Sequence, residues 1–213
     1  MTSVRIALAS LAVTSALFFG CDVCRSQLEC GVVGAPDASG VCGLPADAGY
    51  PSNPGFGINE VIADYTWTGR LSGISSPTTT LSLHDYYNPD CSKPLKYMFI
   101  TVSAFWCQAC KDEATHLNDM LAKYGPKGVI IVTDIAQRLD RSITTQTDVD
   151  AWIESFHLQT AVVTDPGFQL QAFFDPSTMP LDLIIDLRTM TVVYDTTGSV
   201  LPSVESFLDS KLD

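Results

Sequence analysis

The sequence predicts an α/β protein, a central mixed β-sheet flanked by helices, and three observations carry that prediction. From Tyr97 onward, apolar runs too short for helices alternate with stretches of helical periodicity. Near the C-terminus, Leu181 to Leu187 and Thr191 to Tyr194 are separated only by Arg188-Thr189-Met190, a hairpin spacing that adds antiparallel strands. The chain then closes on an amphipathic segment, Ser203 to Leu212, carrying Val204, Phe207 and Leu208. Alternating elements followed by a hairpin and a last helix give layers packed around a mixed sheet.

The first segment, 1–20, reads as an export signal. Arg5 supplies one positive charge, and Ile6 to Gly20 is an uncharged, mostly apolar run, shorter than the roughly 20 residues of a membrane-spanning helix. A small residue before Cys21 resembles the bacterial lipoprotein signal, which implies lipid attachment at Cys21 as the mature N-terminus. Phe18 stands where that signal usually has leucine. Composition then changes: 21–55 is rich in Gly, Pro, Ala, Asp and Ser without periodicity, and reads as a flexible, disordered tether. Export permits disulfides here. With Cys21 acylated and Cys107 and Cys110 set aside, Cys24, Cys30, Cys42 and Cys91 remain, an even set with three possible pairings. Their spacings match no familiar zinc pattern.

The folded domain is expected over 56–213. Tyr65-Thr66-Trp67-Thr68 alternates like an edge strand and Thr78 to Leu83 is a second short candidate, together an N-terminal β-hairpin extension. His84 is isolated, and a surface role suits it. Tyr97 to Ala104 is a buried strand, rich in β-formers. A helix follows, with Ala114, Leu117, Leu121 and Tyr124 on one face and His116 on the solvated side. Gly128 to Thr133 is a second buried strand, bounded by Asp134, and Ile135 to Thr147 reads as a polar loop. Asp148, or Thr147, caps a helix through Trp152, Ile153 and Phe156. Ala161-Val162-Val163 is a brief strand, and Pro166-Gly167 opens a short helix carrying Phe168 and Leu170.

The chemistry sits where the first buried strand hands over to its helix: Trp106-Cys107-Gln108-Ala109-Cys110. A helix start stabilises an anion through its unpaired N–H groups, and a thiolate is one. Cys107 is therefore the candidate attacking sulfur, and Cys110, one turn on, is placed to close a disulfide. A zinc site would need a second ligand pair, and none follows Cys110. Glu113 shares a helix face with Cys110 and is a candidate to take or relay its proton. Trp106 offers a flat apolar lip. Lys111 favours a thiolate, while Asp112 and Glu113 oppose it. Overall the chain has 12 basic and 24 acidic residues and a net charge of -12, which argues against a nucleic-acid partner and against adhesion to lipid through a basic patch.

The Trp-Cys-X-X-Cys after a buried strand, Met179-Pro180 immediately before another, and the order of elements resemble the thioredoxin fold. More narrowly, 56–212 is similar to the membrane-tethered TlpA/ResA-like thioredoxins (redoxins). That resemblance implies that Cys107 is the nucleophile, Cys110 the resolving cysteine, Pro180 a cis-proline beside the disulfide, and Met179 a residue whose backbone pairs with a bound peptide. Glu113 occupies the place of a glutamate characteristic of that family. Ala109, Thr101 and Thr115 stand where relatives commonly have proline, a buried aspartate and a helix-kinking proline. The expected activity is exchange of a disulfide with client proteins, with a membrane electron donor recycling the pair, at the periplasmic or cell-envelope face of a membrane held through the lipid anchor only. No cofactor and no metal are implied. The alternatives are a peroxiredoxin-like peroxidase, weakened because Thr101 to Trp106 lacks the Pro-X3-Thr/Ser-X2-Cys pattern, and a copper or soft-metal carrier using the dithiol with Met179.

Overall fold

The computed structural model describes residues 42–198 and 200–212. Cys21, Cys24, Cys30, the export signal and most of the tether lie outside them. Among the described residues, seven strands form one mixed sheet in the order β2-β1-β5-β4-β3-β6-β7. The strands are β1 (Thr66–Arg70), β2 (Thr78–Ser82), β3 (Tyr97–Ala104), β4 (Val129–Gln137), β5 (Ala161–Thr164), β6 (Leu181–Asp186) and β7 (Thr191–Thr197). The helices are α1 (Gln108–Ala114), α2 (Leu117–Tyr124), α3 (Gln146–Phe156) and α4 (Leu201–Leu212). None of the described helices is long and apolar enough to cross a membrane.

β3, β4 and β5 run parallel, and β6 and β7 add the antiparallel hairpin expected from the spacing around Arg188-Thr189-Met190. All eight residues of β3 are buried, because the strand has a neighbour on each edge and layers over each face. The β3-to-β4 and β4-to-β5 crossovers step in the same direction across the sheet, and right-handed connections then put their helices on one face. Contacts agree: the Thr101 hydroxyl reaches Glu113 of α1, and Asn118 of α2 donates to the His157 carbonyl at the end of α3 at 2.9 Å.

Four expectations are corrected. β1 is interior, paired with both β2 and β5, and β2 is the edge. Gly69 permits that insertion, since a Cβ there would collide with the Val162 carbonyl. The helix after the cysteines breaks at Thr115-His116 into α1 and α2. β4 continues past Asp134 through Ile135 and Ala136, both buried, to Gln137, where a loop was expected. The charge at 134 reads as a strand end, but this aspartate is wholly inside the sheet. α3 is capped by Thr145, whose backbone N–H donates to Asp148 Oδ2 at 2.8 Å. Asp148 is thus the third residue of a capping box, and neither it nor Thr147 is the cap itself.

Residues 42–55, expected within the tether, lie against the domain. Cys42 is buried and disulfide-bonded to Cys91, which resolves one of the open pairings. Tyr50 donates its hydroxyl to the Ile62 carbonyl at 2.9 Å and stacks on His84, with ring centroids 5.6 Å apart. Farther on, Asn59 and Val192 N–H groups bond the carbonyls of Val192 and Glu60, at 2.7 and 2.9 Å, so the 59–62 stretch covers the exposed side of β7. Composition alone marked 42–55 as unable to fold, and a covalent link far away in sequence supplies what composition lacked.

The Cys42–Cys91 link closes a separation of 49 residues. Replacing both cysteines with serine is expected to lower the unfolding free energy by about 2–4 kcal/mol, the usual range for a loop of this order. Urea denaturation at fixed pH measures this, and an unchanged midpoint would show that 42–55 is held by its side-chain contacts alone.

Candidate active site

The site is built where β3 ends. Its last residue, Ala104, accepts a hydrogen bond from the Cys107 N–H at 3.0 Å, and Phe105 N–H donates to the Gln137 carbonyl at the end of β4 at 2.9 Å. These two bonds turn the chain out of the sheet and deliver Cys107 as the N-cap of α1. Its sulfur accepts the Cys110 backbone N–H at 3.0 Å. Cys107 and Cys110 are joined as a disulfide, with Cα atoms 5.3 Å apart. Both residues are buried, Cys107 at 5 % exposed slightly less so than Cys110 at 1 %. An amide aimed at a sulfur favours its thiolate once the bond is opened.

The Met179–Pro180 peptide is cis. Leu181 pairs with Val102 across the β3–β6 ladder, so Pro180 sits near the level of Ser103, at the same end of the sheet as the cysteines. Gly198 N–H bonds the carbonyls of Thr178 and Pro180, at 3.0 and 2.9 Å, and ties this turn to the end of β7. The Met179 side chain is buried in the core. Trp106 is half-buried. Its Nε1 donates to Gln137 Oε1 at 3.0 Å, and the Arg141 guanidinium lies 4.5 Å above the ring, so the expected lip is capped by a cation. His116 is exposed, as expected.

Glu113 is not at the surface. It is buried one turn along α1 from Cys110, and its Oε1 accepts the Thr101 hydroxyl at 2.6 Å. Burial pushes its carboxyl up to about 7, against the hydrogen bonding from Thr101. The polar neighbour that sequence reasoning missed is Asp182. It faces Thr101 in the β3–β6 register, is fully buried, and its carboxyl is held well above the usual carboxylate range, first by burial and then by the charge of Glu113. A signal existed: Leu181-Asp182-Leu183-Ile184-Ile185 places one charge inside a run that otherwise reads as wholly buried.

Asp134 is a second buried acid. It pairs with Val102 in the β3–β4 register, one residue from the Thr101–Thr133 pair, and strand alternation puts it on the sheet face opposite Glu113. Burial, followed by the nearby Asp165 carboxylate, raises it well above the usual range. Asp165 accepts from Gln169, at 2.5 Å from the backbone N–H and 3.1 Å from Nε2.

Known proteins can now be set beside this geometry. No family model matches the chain. The thiol-disulfide oxidoreductase ResA of Bacillus cereus is 25% identical over 91 residues, which is 43% of this chain and 49% of that protein. The chain thus matches about half the length of that curated relative. A thiol:disulfide interchange protein DsbE from Chlorobium tepidum superposes with a TM-score of 0.55 at 20% identity, covering 74% of this chain and 97% of that one. A reduced 2-Cys peroxiredoxin of Plasmodium vivax gives 0.56 at 12% identity, covering 73% and 81%. The fold is thioredoxin-like, as the two motifs and the order of elements implied.

The raised carboxyls make a pH prediction. A carboxyl whose folded pKa lies above its unfolded value holds a proton in the fold that the unfolded chain has released. The stability it contributes is therefore complete below about pH 4 and is lost as pH rises through the folded value. Surface carboxylates lowered by their partners, such as Asp150 beside Arg70, titrate below this window. Urea-unfolding free energy of the oxidised protein is expected to fall from pH 5 to pH 8. Asp134→Asn should flatten that fall by up to about 1.4 kcal/mol per pH unit, the value of one proton. A fall of equal slope in wild type and variant would place the proton elsewhere.

Proposed function

We propose that this protein is an extracytoplasmic thiol-disulfide oxidoreductase that exchanges a disulfide with client proteins through Trp106-Cys107-Gln108-Ala109-Cys110. The observation that carries the reading is the closed Cys107–Cys110 bond at a helix start, with the Cys107 sulfur at the cap receiving a backbone N–H. In the reduced state the Cys107 thiolate attacks a client disulfide, forms a mixed disulfide and expels one client thiolate. Cys110 then attacks Cys107, breaking the bond to the client. The pair is oxidised by two electrons and the client is reduced. A membrane electron donor of the thiol-disulfide type recycles it. Cys107 and Cys110 are the catalytic residues, with Glu113 handling the proton of Cys110. Trp106 and the Met179–Pro180 turn border the client segment, and exposed Leu139 (73 %) and Ile143 (60 %), on the loop that carries Arg141, add apolar surface near it.

The Cys42–Cys91 bond supports an oxidising compartment. Arg5, the apolar run after it and Gly20-Cys21 support export and lipid attachment at Cys21. The peroxidase alternative still lacks its peroxide-binding pattern before Cys107, and the metal-carrier alternative needs a thioether that is buried in the core.

With dithiothreitol as reductant, the wild-type protein is expected to reduce insulin, and Cys107→Ser to fall to the uncatalysed rate. Cys110→Ser is expected to accumulate a mixed disulfide visible on a non-reducing gel. Insulin reduction that survives Cys107→Ser removes this function, whereas catalytic turnover of hydrogen peroxide, or copper retained through gel filtration, favours an alternative.

A further inference from the structure

Three carboxylate oxygens, Glu113 Oε2 on the turn of α1 after Cys110 and both oxygens of Asp182 on β6, are buried and receive no hydrogen bond. The donors in reach are few. The single hydroxyl proton of Thr101 goes to Glu113 Oε1 at 2.6 Å. From β7, Thr196 stands opposite Asp182 in the ladder, and Tyr194 is the titratable group turned toward it. Neither a lysine nor an arginine is among the groups acting on either carboxyl. Thr101 brings the two acids together: its hydroxyl bonds Glu113, Asp182 stands opposite it in the β3–β6 register, and the charge of Glu113 acts on Asp182. Two neighbouring carboxylates away from water do not both ionise, and a proton on one of them supplies the missing donor.

We propose that Asp182 is a positioning residue for Glu113: protonated, it donates to Glu113 Oε2 and leaves Glu113 as the carboxylate that accepts the proton of Cys110. The proposal rests on the oxidoreductase reading above and adds a residue to it. While the disulfide is closed, the two acids hold one proton, on Asp182. When a mixed disulfide is resolved, the Cys110 thiol gives its proton to Glu113. The Cys110 sulfur then bonds to Cys107 Sγ as the Cys107–client bond breaks, and that electron pair leaves on the client sulfur. Glu113 passes its proton on to the departing thiolate or to solvent, and the acids return to one shared proton. Asp182 gains and loses nothing in the cycle. Its work is to keep a neighbouring negative charge off Glu113 while still satisfying it.

That division of labour separates two substitutions. Asparagine at 182 keeps a neutral donor, whereas leucine keeps the volume and removes the donor. The test is the pH profile of the resolving step, followed by rapid mixing of the reduced full chain with oxidised glutathione and timing the disappearance of the mixed disulfide. An inflection that vanishes in Glu113→Gln is expected in wild type. Asp182→Asn should leave it near its wild-type position, and Asp182→Leu should move it upward by about a pH unit or more, a tenfold change in proton affinity. An unmoved inflection in Asp182→Leu overturns the proposal. So does a large downward move in Asp182→Asn, which would mean that Asp182 is ionised. Failure of the wild type to form any mixed disulfide would instead sink the oxidoreductase reading. A second measurement needs no rapid mixing: infrared spectra of the oxidised chain with carbon-13-labelled aspartate at pH 8 should show a protonated carboxyl that Asp182→Asn diminishes. A spectrum unchanged by that substitution also overturns it.

Discussion

Everything at the site hangs on the placement of β3, enclosed by β4 and β6 on its edges and by helices and loops on its faces. Because no residue of β3 reaches water, its alternation is expressed toward two dry layers. Thr101 points at α1 and Glu113, while Val102 and its neighbour Asp134 face the other layer. Where the strand runs out, two backbone bonds, from Cys107 to Ala104 and from Phe105 to Gln137, turn the chain and set the first sulfur at the start of α1. The cysteines are therefore held by the sheet, with little dependence on their own short helix. That rigidity suits a reaction in which two sulfurs must meet repeatedly in one geometry.

An acidic protein with a net charge of -12 has buried carboxyl groups on both faces of that strand. Ionised, they would be costly in so dry an interior. Burial raises the carboxyls of Asp134, Glu113 and Asp182, each toward its protonated form. On one face Asp134 lies beside Asp165, whose oxygens accept from Gln169, and Asp134 is pushed up by burial and by that neighbour. On the other face Thr101 bonds Glu113, and Asp182 is the member left without a donor. The two layers thus solve the same problem in the same way, but only the second lies on the helix face that carries Cys110.

Much of this was legible in the residues. The alternation of elements, the hairpin around Arg188-Thr189-Met190, and the strand-to-helix position of the cysteines follow from patterns a few residues long. Where the reading failed, the reason was long-range. A charge at 134 looks like a strand terminus because a buried carboxylate is normally too costly, and the partner that makes it tolerable is Asp165, on another strand's end. The alternation at Tyr65 to Thr68 reads as an edge because nothing in those residues reveals that β5 docks beside them.

The sequence by itself determined the strand and helix periodicities and the three-residue spacing that lets Cys107 and Cys110 bond, since each depends on atoms joined by a few covalent links. Only the tertiary structure decided that Cys42 pairs with Cys91, that Arg141 covers Trp106, and that Thr101, Glu113 and Asp182 share one dry pocket. Those meetings join positions far apart in the chain, and their partners are chosen by how the layers pack, which no local pattern encodes.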